Sequence, residues 1–261
     1  MADAAGGKGR AVTPADTAAA LLVNAWQSGT PVMSVDVQPL DRQGAYAIQD
    51  AMLQRLGPVG GWKVGARGET AEPACAPLPA AGMLPSGTPL PPDMHHRLRI
   101  IEVEVALRLV RDLLPAGKLL PYEELASAFD AMLPVIEVVE TRLSDWAEAD
   151  ALAKLADLQS HGALVLGAPV PLPKALLDFS AIEARLEFDG RQVASTRGAN
   201  PAVDVWRLLA WQALHCEQRG MPLRAGQIVT TGSLTGMLVA TAGARVQAYV
   251  SGLGSVQVDL A

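Results

Sequence analysis

The sequence is short of cysteine, aromatic residues and charge, and each shortage excludes a class of protein. Only two cysteines, Cys75 and Cys216, occur in 261 residues, and they have no CxxC spacing. Neither a disulfide framework nor a thiolate metal site is expected, and a reducing cytoplasm fits. Lys and Arg number 21 against 27 Asp and Glu, a formal net charge of -6 with no basic cluster. Phosphate binding needs such a cluster, so no nucleic-acid partner is expected. No apolar run reaches the roughly 18 residues needed to span a bilayer, and the first twelve residues lack the apolar stretch of a signal peptide. No membrane partner is expected either. No GxGxxG, Walker loop, GxSxG elbow or HExxH stands at a useful position, which removes the commonest nucleotide, serine-hydrolase and zinc-protease readings.

What remains is a chain with 50% apolar residues, long enough for one domain or a domain plus a small extension. Residues 1–12 read as a flexible tail. Thr13-Pro14-Ala15-Asp16 offers a cap, a proline for the first helical turn and an early acid, so a helix is predicted to about Trp26. Ala45, Ile48, Met52 and Leu56 recur at helical spacing, which predicts a second helix over 41–56, stopped by Gly57-Pro58. Residues 13–60 thus form an N-terminal helical region and 61–261 a β-rich core, with strands near 61–66, 98–110, 134–140 and 162–167. Asp189-Gly190 predicts a tight hairpin turn within 184–195, and Asn200-Pro201 predicts a helix start. Residues 71–92, rich in Pro, Ala and Gly, read as an irregular loop or a lid. The class is α+β.

The chemistry lies in acids and one lysine. In Ile101-Glu102-Val103-Glu104-Val105, strand alternation puts both glutamates on one face. Two residues rise about 6.6 Å, so the two carboxylates can converge on one hard cation such as Mg²⁺ or Mn²⁺, although a solvated strand face would look the same. Glu137 interrupts the apolar run Pro134-Val135-Ile136-Glu137-Val138-Val139. A buried carboxylate needs a cation or a cationic side chain, and Arg142 is the ion-pair alternative. Lys63, bracketed by glycines in Gly60-Gly61-Trp62-Lys63-Val64-Gly65, could bind a substrate carboxylate or transfer protons. Asp157, Ser160, His161 and the pair His95-His96 are further candidates, and Thr231-Gly232-Ser233 could offer hydroxyls and amides to a ligand.

Taken in order, Gly61-Trp62-Lys63-Val64-Gly65, Glu102-Val103-Glu104, Pro134 to Glu137, Ser160 to Gly167, Ile228 to Ser233 and Ser251 to Val256 resemble the 2-keto-4-pentenoate hydratase and 4-oxalocrotonate decarboxylase family of the fumarylacetoacetate hydrolase superfamily. The resemblance implies a mixed β-roll core behind an N-terminal helical region. It implies Glu102, Glu104 and Glu137 as ligands of Mg²⁺ or Mn²⁺, and Lys63 with Asp157 and His161 as catalytic groups. Ser160, Thr231, Gly232, Ser233 and Arg67 become the substrate-binding set. It also implies a small 2-oxo acid substrate and a homo-oligomer, with a hydratase or decarboxylase of the same family as a further possible partner. Three readings follow: a hydratase of 2-hydroxy-2,4-dienoates, a decarboxylase of 2-oxo dicarboxylates with Arg67 for the second carboxylate, or a C–C hydrolase using His95 or His96. A non-catalytic partner subunit is a fourth. The chain departs from the family at Pro79-Ala80-Ala81-Gly82, where a Pro-Asp-aromatic-Gly run is usual, and at Arg67-Gly68, where Thr-Ser is usual. The family's Asp-Asn pair before Ser160 survives here only as Asp157-Leu158.

Overall fold

A computed structural model describes residues 11–91 and 97–260. Two helices come first. Helix α1 (Pro14–Ser28) opens on the expected box, with Thr13 Oγ1 accepting from Asp16 N at 3.1 Å and Asp16 accepting from Thr13 N at 2.9 Å. It ends at Gly29 in the left-handed region. Helix α2 (Arg42–Leu56) is capped by Asp41 and ends at Gly57. The chain then enters β1 (Val59–Gly65), β2 (Ala74–Pro79), β3 (Met83–Pro85), β4 (Ile100–Leu109), helix α3 (Tyr122–Ala126) and β5 (Phe129–Val139). Helix α4 (Ala151–Ala156), β6 (His161–Leu166), β7 (Val170–Pro171), β8 (Glu183–Phe188), β9 (Arg191–Arg197) and helix α5 (Val205–Gln218) follow, then β10 (Ile228–Thr230), β11 (Leu238–Val239), β12 (Arg245–Val250) and β13 (Gly254–Asp259).

The strands form a mixed sheet in the order β2-β1-β10-β4-β5-β6-β3, with β11 on β4 and β7 on β5, and an antiparallel sheet in the order β13-β12-β8-β9. In the mixed sheet, β1 with β10 and β3 with β6 run parallel, and the other pairs are antiparallel. Alternation along β4 divides its residues between two cores. Ile101, Val103, Val105, Leu107 and Leu109 join the large cluster that also takes in α1, α2 and α5. Ala106 joins a small one with Leu78, Leu133, Val135, Leu164 and Ile228. Glu102 and Glu104 share the face of Ala106, and Glu137 shares that of Leu133 and Val135. The small cluster is therefore an apolar plug at one end of a sheet face whose other end carries the acids.

Several boundaries differ from the sequence reading for physical reasons. Residues 71–92 are not one irregular loop, because β2 pairs with β1 from Ala74 to Pro79 and β3 pairs with β6. Strand β5 begins at Phe129 and continues through Pro134, whose missing donor falls where the neighbouring strand changes from β6 to β7. Helix α5 begins at Val205, not at Asn200-Pro201. Val203 has φ +60 and breaks the helical path, and Asp204 caps α5 by accepting from Arg207 N at 3.0 Å. The hairpin turn at Asp189-Gly190 is as expected, with φ +52 and +77.

Two glycines of β1 make contrasting demands. A Cβ on Gly61 would overlap the Ile228 carbonyl oxygen of β10, whereas one on Gly65 would meet nothing within 4 Å. We expect Gly61→Ala to lower stability by about 2 kcal/mol or more, since β1 and β10 must separate. Gly65→Ala should leave it unchanged or slightly raised. Thermal denaturation of the two variants checks the contrast, and equal melting temperatures would contradict the register.

Candidate active site

Pairing of β4 with β5 sets Glu102 directly opposite Glu137, and Glu104 lies two residues further along the same face of β4. One oxygen from each of the three carboxylates lies within 4.8 Å of the others. Glu104 and Glu137 are only 2% and 1% exposed, so the solvated strand face is excluded. Opposed like charges destabilise a sheet, and buried ones do so more strongly. The cationic side chain that meets them is Lys63 on β1, whose Nζ lies 2.5 Å from Glu137 Oε1 and 3.3 Å from the Gln159 carbonyl. Arg142, the expected alternative, is engaged elsewhere.

The electrostatics record this crowding. Burial, then the charges of Glu137 and Glu102, push Glu104 up to about 8, although the Gly232 amide donates to its Oε2 at 2.7 Å. Burial raises Glu137 as well, but Lys63 and His161 outweigh that and hold it at about 2. Burial would lower Lys63, yet Glu137, Glu102 and Glu104 together raise it, so it is a protonated cation. With all four groups ionised, three carboxylates and one ammonium leave two negative charges, which a divalent cation would neutralise. The Glu137 Oε2 and Thr230 Oγ1 atoms are buried without a hydrogen-bond partner among the described residues. Orphaned oxygens on a carboxylate and a hydroxyl suit a hard cation or a ligand it holds. The donor set therefore fits a divalent metal.

Around this centre the expected residues divide. His161 is buried, and its Nδ1 lies 3.2 Å from Glu137 Oε1. Burial lowers its pKa, so it is a neutral imidazole that positions Glu137. Ser160 lines a cavity of about 460 Å³ together with Arg67 and Glu102, and its hydroxyl accepts from Trp146 Nε1 at 2.8 Å. Asp157 does not face the acids. Its carboxylate takes Thr141 Oγ1 at 2.7 Å and the Arg142 guanidinium, and Arg142 also reaches the His161 carbonyl and covers Trp26. That buried pair braces the chain between β5 and β6. Thr231 is likewise turned away, its hydroxyl donating to the Val105 carbonyl at 2.9 Å. Gly232 acts through its amide, which a φ of +97 aims at Glu104. His95 and His96 lie outside the described residues.

Sequence reasoning missed Gln159 and Trp146. Leu158, Gln159 and Ser160 all have positive φ, 49, 52 and 56. Such a run of non-glycine residues is strained and has no signature in residue type. It turns the Gln159 carbonyl toward Lys63 and lets the Ser160 carbonyl accept from Glu140 N at 2.9 Å.

With this geometry in view, residues 52–261 match the fumarylacetoacetate (FAA) hydrolase C-terminal family. The chain belongs to that family. It is 28% identical over 257 residues, 94% of each chain, to the 2-keto-4-pentenoate hydratase of Paraburkholderia xenovorans. It is 32% identical over 254 residues, 92% of each, to the TodF product hydratase of Pseudomonas putida. The fold is that of the 4-oxalocrotonate decarboxylase of Pseudomonas putida G7 complexed with magnesium and adipate, with a TM-score of 0.83 at 21% identity over 97% of this chain and 100% of that one.

The acid cluster sets a pH dependence. Unfolded, Glu104 ionises near its ordinary 4.5, whereas folded it holds its proton to about 8. The folded state thus binds more protons between these values, and stability falls as pH rises through them. Glu137 is lowered, so its contribution is complete above 4.5. Burial lowers His161, which makes stability rise with pH below its ordinary 6.5 and opposes the fall there, so the Glu104 contribution is read against a Glu104→Gln variant. Calorimetry in chelator should show the melting temperature of the wild type falling relative to that of Glu104→Gln from pH 4.5 to 8, and a divalent cation flattening that difference, with proton release on binding near neutrality. A constant difference in chelator would contradict the crowded-carboxylate account.

Proposed function

We propose that the chain is a divalent-metal-dependent hydratase that adds water to a 2-hydroxy-2,4-dienoate to give a 4-hydroxy-2-oxo acid. The observation that carries this reading is the buried triad of Glu102, Glu104 and Glu137 with Lys63 against it, in a chain 28–32% identical over nearly its full length to proteins named as hydratases. Glu102, Glu104 and Glu137 would hold the cation, Mg²⁺ or Mn²⁺, and the solved relative complexed with magnesium supports that choice. Bound there, such a cation supplies Lewis-acid stabilisation of negative charge developing on the 2-oxo oxygen.

The protein's own groups prepare the site for that chemistry. Lys63, protonated and held by Glu137 and the Gln159 carbonyl, presents an ammonium that can donate to a developing anion. His161, neutral and buried, fixes one Glu137 oxygen. The Gly232 amide orients Glu104. Ser160, held by Trp146, and Arg67 line the cavity through which a small acid reaches Glu102.

The reading extends to assembly and location. Exposed Met33, Val35 and Leu40, grouped on the loop before α2, support a homo-oligomer, and the free thiols of Cys75 and Cys216 support a reducing cytoplasm. Among the described residues, no helix is long and apolar enough to cross a membrane.

Two variants separate binding from chemistry. Glu104→Gln removes a ligand charge, so activity should fall and be partly restored by excess metal. Lys63→Met removes the ammonium that competes for Glu137 Oε1, so metal should bind at least as tightly while turnover drops by about 10²-fold or more. Steady-state kinetics with product analysis, beside metal titration, reads both. Products that keep every carbon support the hydratase, whereas release of carbon dioxide would mark a decarboxylase. Full activity in Lys63→Met would remove Lys63 from the chemistry.

A further inference from the structure

The two cysteines, far apart in sequence, meet beside the strand that carries Lys63. Cys75 on β2 stands opposite Val64 of β1. Gln212, Cys216 and Arg219 recur at helical spacing along one face of α5 and its cap. Gln212 Nε2 reaches the Lys63 carbonyl of β1 at 3.5 Å, and Arg219 Nη1 reaches the Cys75 sulfur at 3.9 Å. Cys216 stands in that row between them, and its thiol hydrogen-bonds to the Cys75 sulfur. Both thiols are free and fully buried.

The surroundings divide the two sulfurs into unlike partners. Burial alone would raise the Cys75 thiol, but hydrogen bonds from Cys216 and His215, with the charge of Arg219, outweigh that and bring it down to about 5. Burial and the bond to Cys75 push Cys216 well up, so it keeps its proton. A nucleophilic thiolate thus lies against a proton-bearing thiol. His215 Nε2 and Arg219 Nε are buried with no hydrogen-bond partner among the described residues, which leaves polar nitrogens for an oxygen arriving near the sulfur. Arg219 is paired with Asp50, and Asp50 lines a cavity of about 830 Å³ between α1 and α2. A small oxidant in that cavity is one ion pair away from Cys75.

We propose that Cys75 and Cys216 are a redox pair that a small hydroperoxide converts into a disulfide, tying α5 to the edge strand β2. The Cys75 thiolate attacks a peroxide oxygen and the O–O bond breaks. The sulfur is oxidised to a sulfenic acid, and the rest of the peroxide leaves as hydroxide or alkoxide, which takes a proton from solvent. The Cys216 sulfur then displaces the hydroxyl of the sulfenic acid, its own proton departs with that hydroxyl as water, and the S–S bond forms. A thiol reductant restores both thiols, so the dithiol is the resting form under reducing conditions.

The test treats the folded, reduced chain with hydrogen peroxide at about pH 6 and reads both thiols by peptide mass spectrometry without reductant. The wild type should give a Cys75–Cys216 linked peptide that dithiothreitol separates. Cys216→Ser should stop at a sulfenic acid on Cys75, which dimedone traps, and Cys75→Ser should leave Cys216 unmodified. At that pH an ordinary thiol is almost wholly protonated, so the folded wild type should lose Cys75 about tenfold faster than the same chain in urea, once the lower nucleophilicity of a low-pKa thiolate is allowed for. Cys75 left intact in the folded chain, first attack at Cys216, no linked peptide from the wild type, or reaction no faster folded than in urea would overturn the proposal.

Discussion

Three carboxylates forced onto one buried sheet face, with a single lysine to oppose them, are the constraint from which the rest of the site follows. Glu102 and Glu137 are opposed by strand register, and Glu104 is added by strand period, so the backbone itself brings them together. The protein spends its nearby hydrogen-bond donors on this charge. Lys63 and His161 turn to one oxygen of Glu137, and the Gly232 amide turns to Glu104. The supply falls short, and the shortfall is what suits the cluster to a divalent cation rather than to a structural ion pair alone.

The fold supports the crowding from behind and below. Behind the acids, the other face of β4 is sealed by the large apolar core against α1, α2 and α5. Along the same face, the plug of Leu78, Ala106, Leu133, Val135, Leu164 and Ile228 closes the end away from Glu102. The Arg142–Asp157 pair and the left-handed turn at Leu158–Ser160 fix the irregular stretch whose Gln159 carbonyl accepts from Lys63. The cost of that turn is local, and it is offset by the packing that holds it.

Much of this was legible in the chain. Period-2 spacing placed Glu102 and Glu104 together, and a carboxylate inside an apolar run marked Glu137 as partnered. Glycines around Lys63 suggest close approach of a ligand to the backbone, but at Gly61 it is the Ile228 carbonyl of β10 that comes close. What could not be read depended on tertiary partners. Asp157 and Arg142 find each other across a loop, which moves Asp157 from the chemistry to the scaffold. The Gln159 carbonyl acts through backbone conformation, for which no side-chain pattern exists. The helix start at Asn200-Pro201 failed because the Asn200 amide donates to the Thr231 carbonyl at 2.7 Å and its oxygen holds Ala202 N, so that segment braces the site loop instead.

The central claim is that the three glutamates hold one divalent cation and that Lys63 stands beside it without being a ligand. Crystals grown with Mn²⁺ and measured at the manganese absorption edge test this most directly. The account requires one anomalous peak in contact with oxygens of Glu102, Glu104 and Glu137, at the roughly 2.0 to 2.6 Å of hard-cation coordination. A map with no peak among those carboxylates, or with the metal elsewhere and Lys63 still closing the triad, would contradict it.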